Sequence, residues 1–107
     1  MEYVGNILYD KKLLDTSRRF IIFGTGIYGH RILNFMDLNG VKRNIVCFCD
    51  SNIVKSGQYI EGIPVCWVND AIAQYSGTEF LIAGKYVREM YRTLNENFIG
   101  KIHILLI

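Results

Sequence analysis

The sequence predicts an α/β protein in three layers: a parallel sheet of about five strands with helices on both faces and an extra helix at the amino end. Three observations carry this. The runs "RFIIFG", "NIVCFCDS" and "EFLIAG" are apolar at successive positions, as strands buried on both faces are, and each ends in glycine or in turn-forming polar residues. Between them lie segments whose apolar residues recur at helical spacing. Strand and helix patterns therefore alternate along the chain, the mark of βαβ units joined by right-handed crossovers.

Each element follows from its own residues. Val4, Ile7, Leu8 and Leu14 recur at helical spacing and predict an amphipathic helix over residues 1–16, packed on an edge or face of the sheet. Ser17-Arg18-Arg19 reads as a solvated approach to the first strand, "RFIIFG". From Ile27 to Leu38 the chain places Ile32, Leu33, Phe35 and Met36 on one helix face, and Asn39-Gly40 is a stop signal. "NIVCFCDS" is the second strand. After a loop with Gly57 and Gly62 comes "IPVCW", a short strand whose Pro64, lacking an N–H, suits an edge. Asn69 or Asp70 is expected to cap a short helix reaching about Tyr75. "EFLIAG" is the next strand, followed by a helix whose stripe of Val87, Met90, Tyr91, Leu94 and Phe98 is expected to face the core. "KIHILLI" closes the sheet. With right-handed crossovers the natural strand order is 3-2-1-4-5, a compact Rossmann-like unit.

Size and charge bound the function. The chain has 107 residues, half of them hydrophobic, enough for one domain over residues 1–107 with a single core. Its net charge of +2, from 12 basic and 10 acidic residues spread along the chain, predicts neither a nucleic-acid partner nor a basic membrane patch. No apolar run approaches the ~18 residues that span a bilayer, and the amino end lacks the pattern of a signal peptide, so a cytoplasmic protein is expected. The three cysteines, Cys47, Cys49 and Cys66, form no C-x-x-C pair and read as buried, reduced thiols; no metal site is expected.

Gly24, Gly26 and Gly29 fit the G-x-G-x-x-G spacing of dinucleotide-binding loops. The pattern is weak alone, but its context is right: the first glycine ends a strand, the third opens a helix, and Asp50 ends the next strand 21 residues on. In such a loop Gly24 makes the tight turn, Gly26 lets a pyrophosphate approach the backbone, and Gly29 permits close helix packing. Asp50 is placed to accept hydrogen bonds from ribose hydroxyls and to repel the 2′-phosphate of NADP. The competing reading is a turn kept for packing, with Asp50 a mere strand-end residue. Thr25, Ile27, Tyr28, Ser51, Asn52, Gly84, Lys85 and Tyr86 fall at the same predicted sheet edge, where ligands of open α/β sheets bind. Lys85 is either a phosphate or sugar ligand or a solvated lysine at a helix start, and His30 reads as a surface or capping residue. The candidate cofactor-binding residues are therefore Gly24, Thr25, Gly26, Ile27, Tyr28, Gly29, Asp50, Ser51 and Lys85.

No catalytic signature accompanies them. No tyrosine is followed four residues later by lysine, there is no G-x-S-x-G or H-E-x-x-H, and "AGKY" lacks the first glycine and the Ser or Thr of a P-loop. His103, inside the last strand, reads as structural and has no carboxylate neighbour in sequence.

The run "IIFGTGIYGHRIL", then "VCFCDSN" with Lys55 and Gly57, then "IEGIPV", resembles the small nucleotide-binding Rossmann modules of bacterial surface-polysaccharide enzymes. Similar modules form the N-terminal domains of nucleotide-sugar acyltransferases and dehydratases, and are appended to some glycosyltransferases and FkbM-type methyltransferases. The resemblance implies a module for NAD(P) or a nucleotide-sugar, within a transferase or nucleotide-sugar-modifying enzyme of polysaccharide biosynthesis, without catalysis on its own. Its expected partners are a nucleotide-type small molecule and a second copy or a larger enzyme. Here Ser51 stands where the modules commonly carry a second aspartate. The alternative is an interaction or scaffolding domain that has lost its ligand and dimerises through the first helix or last strand. Tyr28 discriminates: its ring lying in the glycine groove favours the scaffold.

Overall fold

Strands with no polar face must be covered on both sides, and the core of this molecule is arranged around that requirement. The structure, a computed structural model, describes residues 2–4, 7–9, 11–75, 77–98 and 100–106. Strands β1 (Glu2–Val4) and β2 (Ile7–Tyr9) pair antiparallel and are followed by a 3-10 turn at Lys11–Leu14. The main sheet then comprises β3 (Phe20–Phe23), β4 (Ile45–Asp50), β5 (Tyr59–Ile60), β6 (Ile63–Trp67), β7 (Glu79–Ala83) and β8 (Ile102–Leu105). Its spatial order is β5-β6-β4-β3-β7-β8.

All pairings within it are parallel except that of β5 with β6. The parallel strands keep the expected order, and strand order reverses between β3 and β7. The expected count does not hold, because the sheet is mixed and has six strands. The extra one is a hairpin arm: Ile60 pairs with Ile63 across Glu61 and Gly62, whose φ values of +50° and +82° are the positive pair of a type I′ turn.

Side chains alternate across the sheet. Phe20, Ile22, Phe48 and Leu81 pack under helix α1 (Ile27–Leu38), which contributes Ile32, Leu33, Phe35 and Met36. Ile21, Phe23, Cys47, Cys49, Phe80 and Ile82 point to the opposite core. There they share a cluster with residues of α2 (Val68–Gln74) and α3 (Val87–Asn97). α1 ends as its sequence suggests: Asn39 Nδ2 donates to the Phe35 carbonyl (2.8 Å), and Gly40 follows with φ +73°.

Four expectations are corrected. The helix over residues 1–16 is absent from the described part of that segment, which forms the β1–β2 pair and a 3-10 turn; residues 1, 5, 6 and 10 lie outside the description. Apolar residues three apart fit a hairpin as well as a helix, and Gly5-Asn6 between the two strands is a turn-type pair. α2 begins at Val68, so Asn69 and Asp70 lie inside its first turn and cap nothing. The α3 stripe is not wholly core: Leu94 is buried, while Tyr91 is 42% exposed. Arg18 is not a solvated side chain. Its Nε donates to Glu79 Oε2 (2.8 Å), its Nη2 to Glu79 Oε1, and its guanidinium lies 5.5 Å from the Phe20 ring centroid.

Candidate functional site

The loop between β3 and α1 is tied to the neighbouring strand by Gly24, whose N–H donates to the Cys49 carbonyl (2.8 Å). Two of the three glycines are demanded by the fold, one by backbone conformation and one by packing. Gly24 has φ +114°, and a Cβ on it would lie 3.3 Å from Met90 Cε. A Cβ on Gly29 would lie 2.1 Å from the Gly24 carbonyl oxygen, so α1 meets the loop there only without a side chain. Gly26 is different. Its backbone is extended (φ −86°, ψ −158°), and no heavy atom lies within 4 Å of where its Cβ would be.

Gly26 is also the N-cap of α1. It makes no side-chain cap bond, and the first turn of the helix carries no acid. The leading N–H groups of an α-helix have no partner within the helix, and the helix dipole is positive there. The Gly26 end of α1 therefore presents donors and positive potential to the space beside it.

That space is a cleft of about 480 Å³ at the carboxyl ends of the strands, where strand order reverses. All nine residues singled out in the sequence, Gly24, Thr25, Gly26, Ile27, Tyr28, Gly29, Asp50, Ser51 and Lys85, line it. Asp50 is held in place: Oδ2 accepts from Thr25 Oγ1 (2.8 Å) and Oδ1 from the Asn52 N–H (2.9 Å). Each carboxylate oxygen keeps a further lone pair for a ligand. Thr25 thus acts on the site through Asp50. Lys85 is exposed, with its Nζ 5.3 Å from the Tyr86 ring centroid, and Ile27 is exposed at the mouth.

Tyr28 lines the cleft beside the glycine loop. Its ring rests on Gly84 at the end of β7, and the Arg31 guanidinium lies 5.5 Å from its centroid. Glu89, Met90 and Thr93 of α3 also line the cleft and were not among the expected site residues. The signal for them was present, since Thr93 sits one turn beyond the adjacent Glu89 and Met90 on the helix that follows the glycine-ended strand β7.

Histidines are placed elsewhere. His30, exposed on the first turn of α1, donates Nδ1–H to the Gly26 carbonyl (2.9 Å), which also accepts the His30 backbone N–H. His103 lies at the amino ends of the strands, opposite the cleft, with Nε2 2.7 Å from Glu79 Oε1. It therefore has the carboxylate neighbour that sequence alone did not reveal. Arg18 and His103 together hold the Glu79 carboxyl down at about 2. The thiols of Cys47 and Cys49 are buried and free, and burial pushes both well above the usual range. Among the described residues no group of three or more His, Cys, Asp and Glu is disposed to hold a metal ion, and no helix is long and apolar enough to cross a membrane.

No family model matches the chain, and no curated protein matches it. Solved structures of RSP, a Rex-family repressor, do. The repressor alone superposes with a TM-score of 0.61 over 87% of this chain and 48% of its own. Its complex with β-NADH gives 0.59 over 81% and 44%, and its complex with β-NAD+ and operator DNA gives 0.60 over 87% and 46%. Identity is 21% in all three, so the likeness shows the fold, which is Rossmann-like. The chain spans less than half the length of the repressor it matches.

One expectation is overturned by the third of these structures. A balanced charge was read as excluding a nucleic-acid partner, yet a protein containing this fold is solved on operator DNA. Net charge over one Rossmann-like region carries no such exclusion, because DNA contacts belong to a local surface of the whole assembly. The resemblance to polysaccharide enzymes has no counterpart among these matches.

Proposed function

We propose that residues 1–107 are one nucleotide-binding domain, which holds the diphosphate of an NAD-type nucleotide or a nucleotide-sugar and performs no catalysis alone. Gly26 carries this reading. Packing and backbone conformation explain the glycines at 24 and 29 but leave Gly26 unexplained, whereas a phosphate approaching the bare end of α1 needs that position without a side chain. Asp50 sits where ribose hydroxyls would be met. The NADH and NAD+ complexes of the structurally similar repressor support a nucleotide of this class. They also support work within a larger assembly, for which bound DNA is one precedent. Three free thiols fit a reducing compartment such as the cytoplasm.

A thermal-shift series with NAD+, NADH, NADP+, UDP and UDP-glucose tests the proposal on wild type, Gly26→Val and Asp50→Ala. At about 100 times its dissociation constant a ligand stabilises by roughly 2.7 kcal/mol, several degrees for a domain this size. One nucleotide is expected to give that shift, both variants to lose it, and NADP+ to be disfavoured by the Asp50 carboxylate. A cooperative melt that no nucleotide moves would leave an interaction domain.

A further inference from the structure

β4 and β6 bring the chain's three cysteines to one face of the sheet. Cys49 and Cys66 are Cα partners in the parallel register, and Cys47 precedes Cys49 by two residues, so all three pack in the core beneath α2 and α3. Cys47 and Cys49 are wholly buried. Cys66 is half-buried, and its sulfur is in hydrogen-bond contact with the Cys47 thiol and the Tyr75 hydroxyl. Backbone spacing separates the two pairings open to Cys66. Directly opposed residues on neighbouring strands stand about 4.8 Å apart, inside the Cα span of about 4.4–6.8 Å that a disulfide bridges. A diagonal pair, as Cys47 and Cys66 are, stands about 7–8 Å apart, beyond that reach unless the backbone moves.

We infer that Cys49 and Cys66 are an oxidation site, a dithiol that hydrogen peroxide converts into a cross-strand disulfide one residue before Asp50. Cys66 meets the oxidant first, because it alone is partly accessible and because burial pushes the Cys47 and Cys49 thiols up and keeps them protonated. Its sulfur attacks one peroxide oxygen, the O–O bond breaks, and a sulfenic acid and a water form. The Cys49 sulfur then attacks the Cys66 sulfur and the S–O bond breaks. The sulfenic oxygen leaves as a second water with the Cys49 proton, so two thiols are oxidised and one peroxide is reduced. Asp50 and Trp67, the next residues on the two strands, are register partners as well. The bridge therefore ties down the strand end that carries the carboxylate of the cleft. It follows from strand register and burial, and is independent of what the cleft binds.

Thiol counting and peptide mapping on the folded, reduced wild-type chain test the site. After hydrogen peroxide, unfolding in guanidinium with N-ethylmaleimide should label one cysteine where the untreated chain labels three, and dithiothreitol should restore all three. Chymotrypsin, which cuts after Phe48, separates Cys47 from Cys49, and the unreduced digest should join Cys49 to Cys66. Trp67, next to Cys66 and the chain's single tryptophan, should lose fluorescence as the bridge forms, since a disulfide quenches a neighbouring indole. Cys47→Ala should still close the bridge, whereas Cys49→Ala should not. The wild-type digest decides even if a variant does not fold. A Cys47–Cys66 bridge, a bridge between two chains, oxygen adducts on Cys66 in place of a bridge, or three thiols left untouched overturns the inference.

Discussion

Gly26 and Gly29 stand three residues apart in one loop and should respond very differently to the same substitution. A methyl group on Gly29 points at a backbone oxygen 2.1 Å away, which no rotamer change can relieve. Gly29→Ala is expected to cost at least about 3 kcal/mol, the upper range for overpacking. Gly26→Ala meets nothing and keeps an ordinary extended backbone, so its gain through the unfolded chain offsets the poorer helix N-cap and the net change should stay within about 1 kcal/mol of zero. Urea unfolding of both variants checks this, and similar losses in the two would mean that Gly26 also serves packing. The spacing of the three glycines was legible in the sequence, but their separate reasons were not. One pattern arises from a tight turn, a close helix and a ligand alike, and only the position of the Gly24 carbonyl against Gly29 separates them. Tyr28 was recognisable as decisive, whereas its resting place on Gly84 depends on how α1 and β7 come together 56 residues apart in sequence.

Elements were legible where one local signal dominated. β3, β4 and β7 are unbroken apolar runs, and α1 has both its periodic face and its Asn39-Gly40 stop. Errors fell where the element was too short to carry a period. β5 is two residues long, and its turn places glutamate rather than Asn or Asp at positive φ, so the hairpin gave no sequence sign. The Arg18–Glu79–His103 cluster, joining the approach to β3 with β7 and β8, was also unreadable, because its members are brought together by strand pairing alone. It makes an acid-sensitive tie. Glu79 falls from about 4.5 to about 2 on folding, chiefly through the hydrogen bonds from Arg18. A carboxyl lowered in the folded state contributes its full stability above the unfolded value and loses it as pH falls towards the folded one. The chain should therefore lose on the order of 2–3 kcal/mol between about pH 5 and pH 2 from this group. Denaturant unfolding across that range checks it, and Glu79→Gln should flatten this part of the profile.

At the scale of the molecule, both faces of the sheet are built from the same strands. Ile22 packs towards α1 and its neighbour Ile21 towards the opposite face, so neither core can open without exposing strands that the other needs. Phe48, fully buried, belongs to the α1 face, while Trp67, the chain's single tryptophan, packs against the other. Phe48→Ala is expected to cost about 3–5 kcal/mol. Total stability for such domains is about 5–15 kcal/mol, so the loss should be plain in a denaturation curve. Because the faces share strands, Trp67 fluorescence should report that loss in full although the substitution lies across the sheet. Far-UV circular dichroism should move to the same lower urea midpoint with an unchanged slope. A Trp67 transition left in place while the dichroism shifts would mean that the faces melt separately. The cleft adds a second arm to the test, since its walls come from α1 on one face and α3 on the other. A nucleotide bound there should raise both midpoints together.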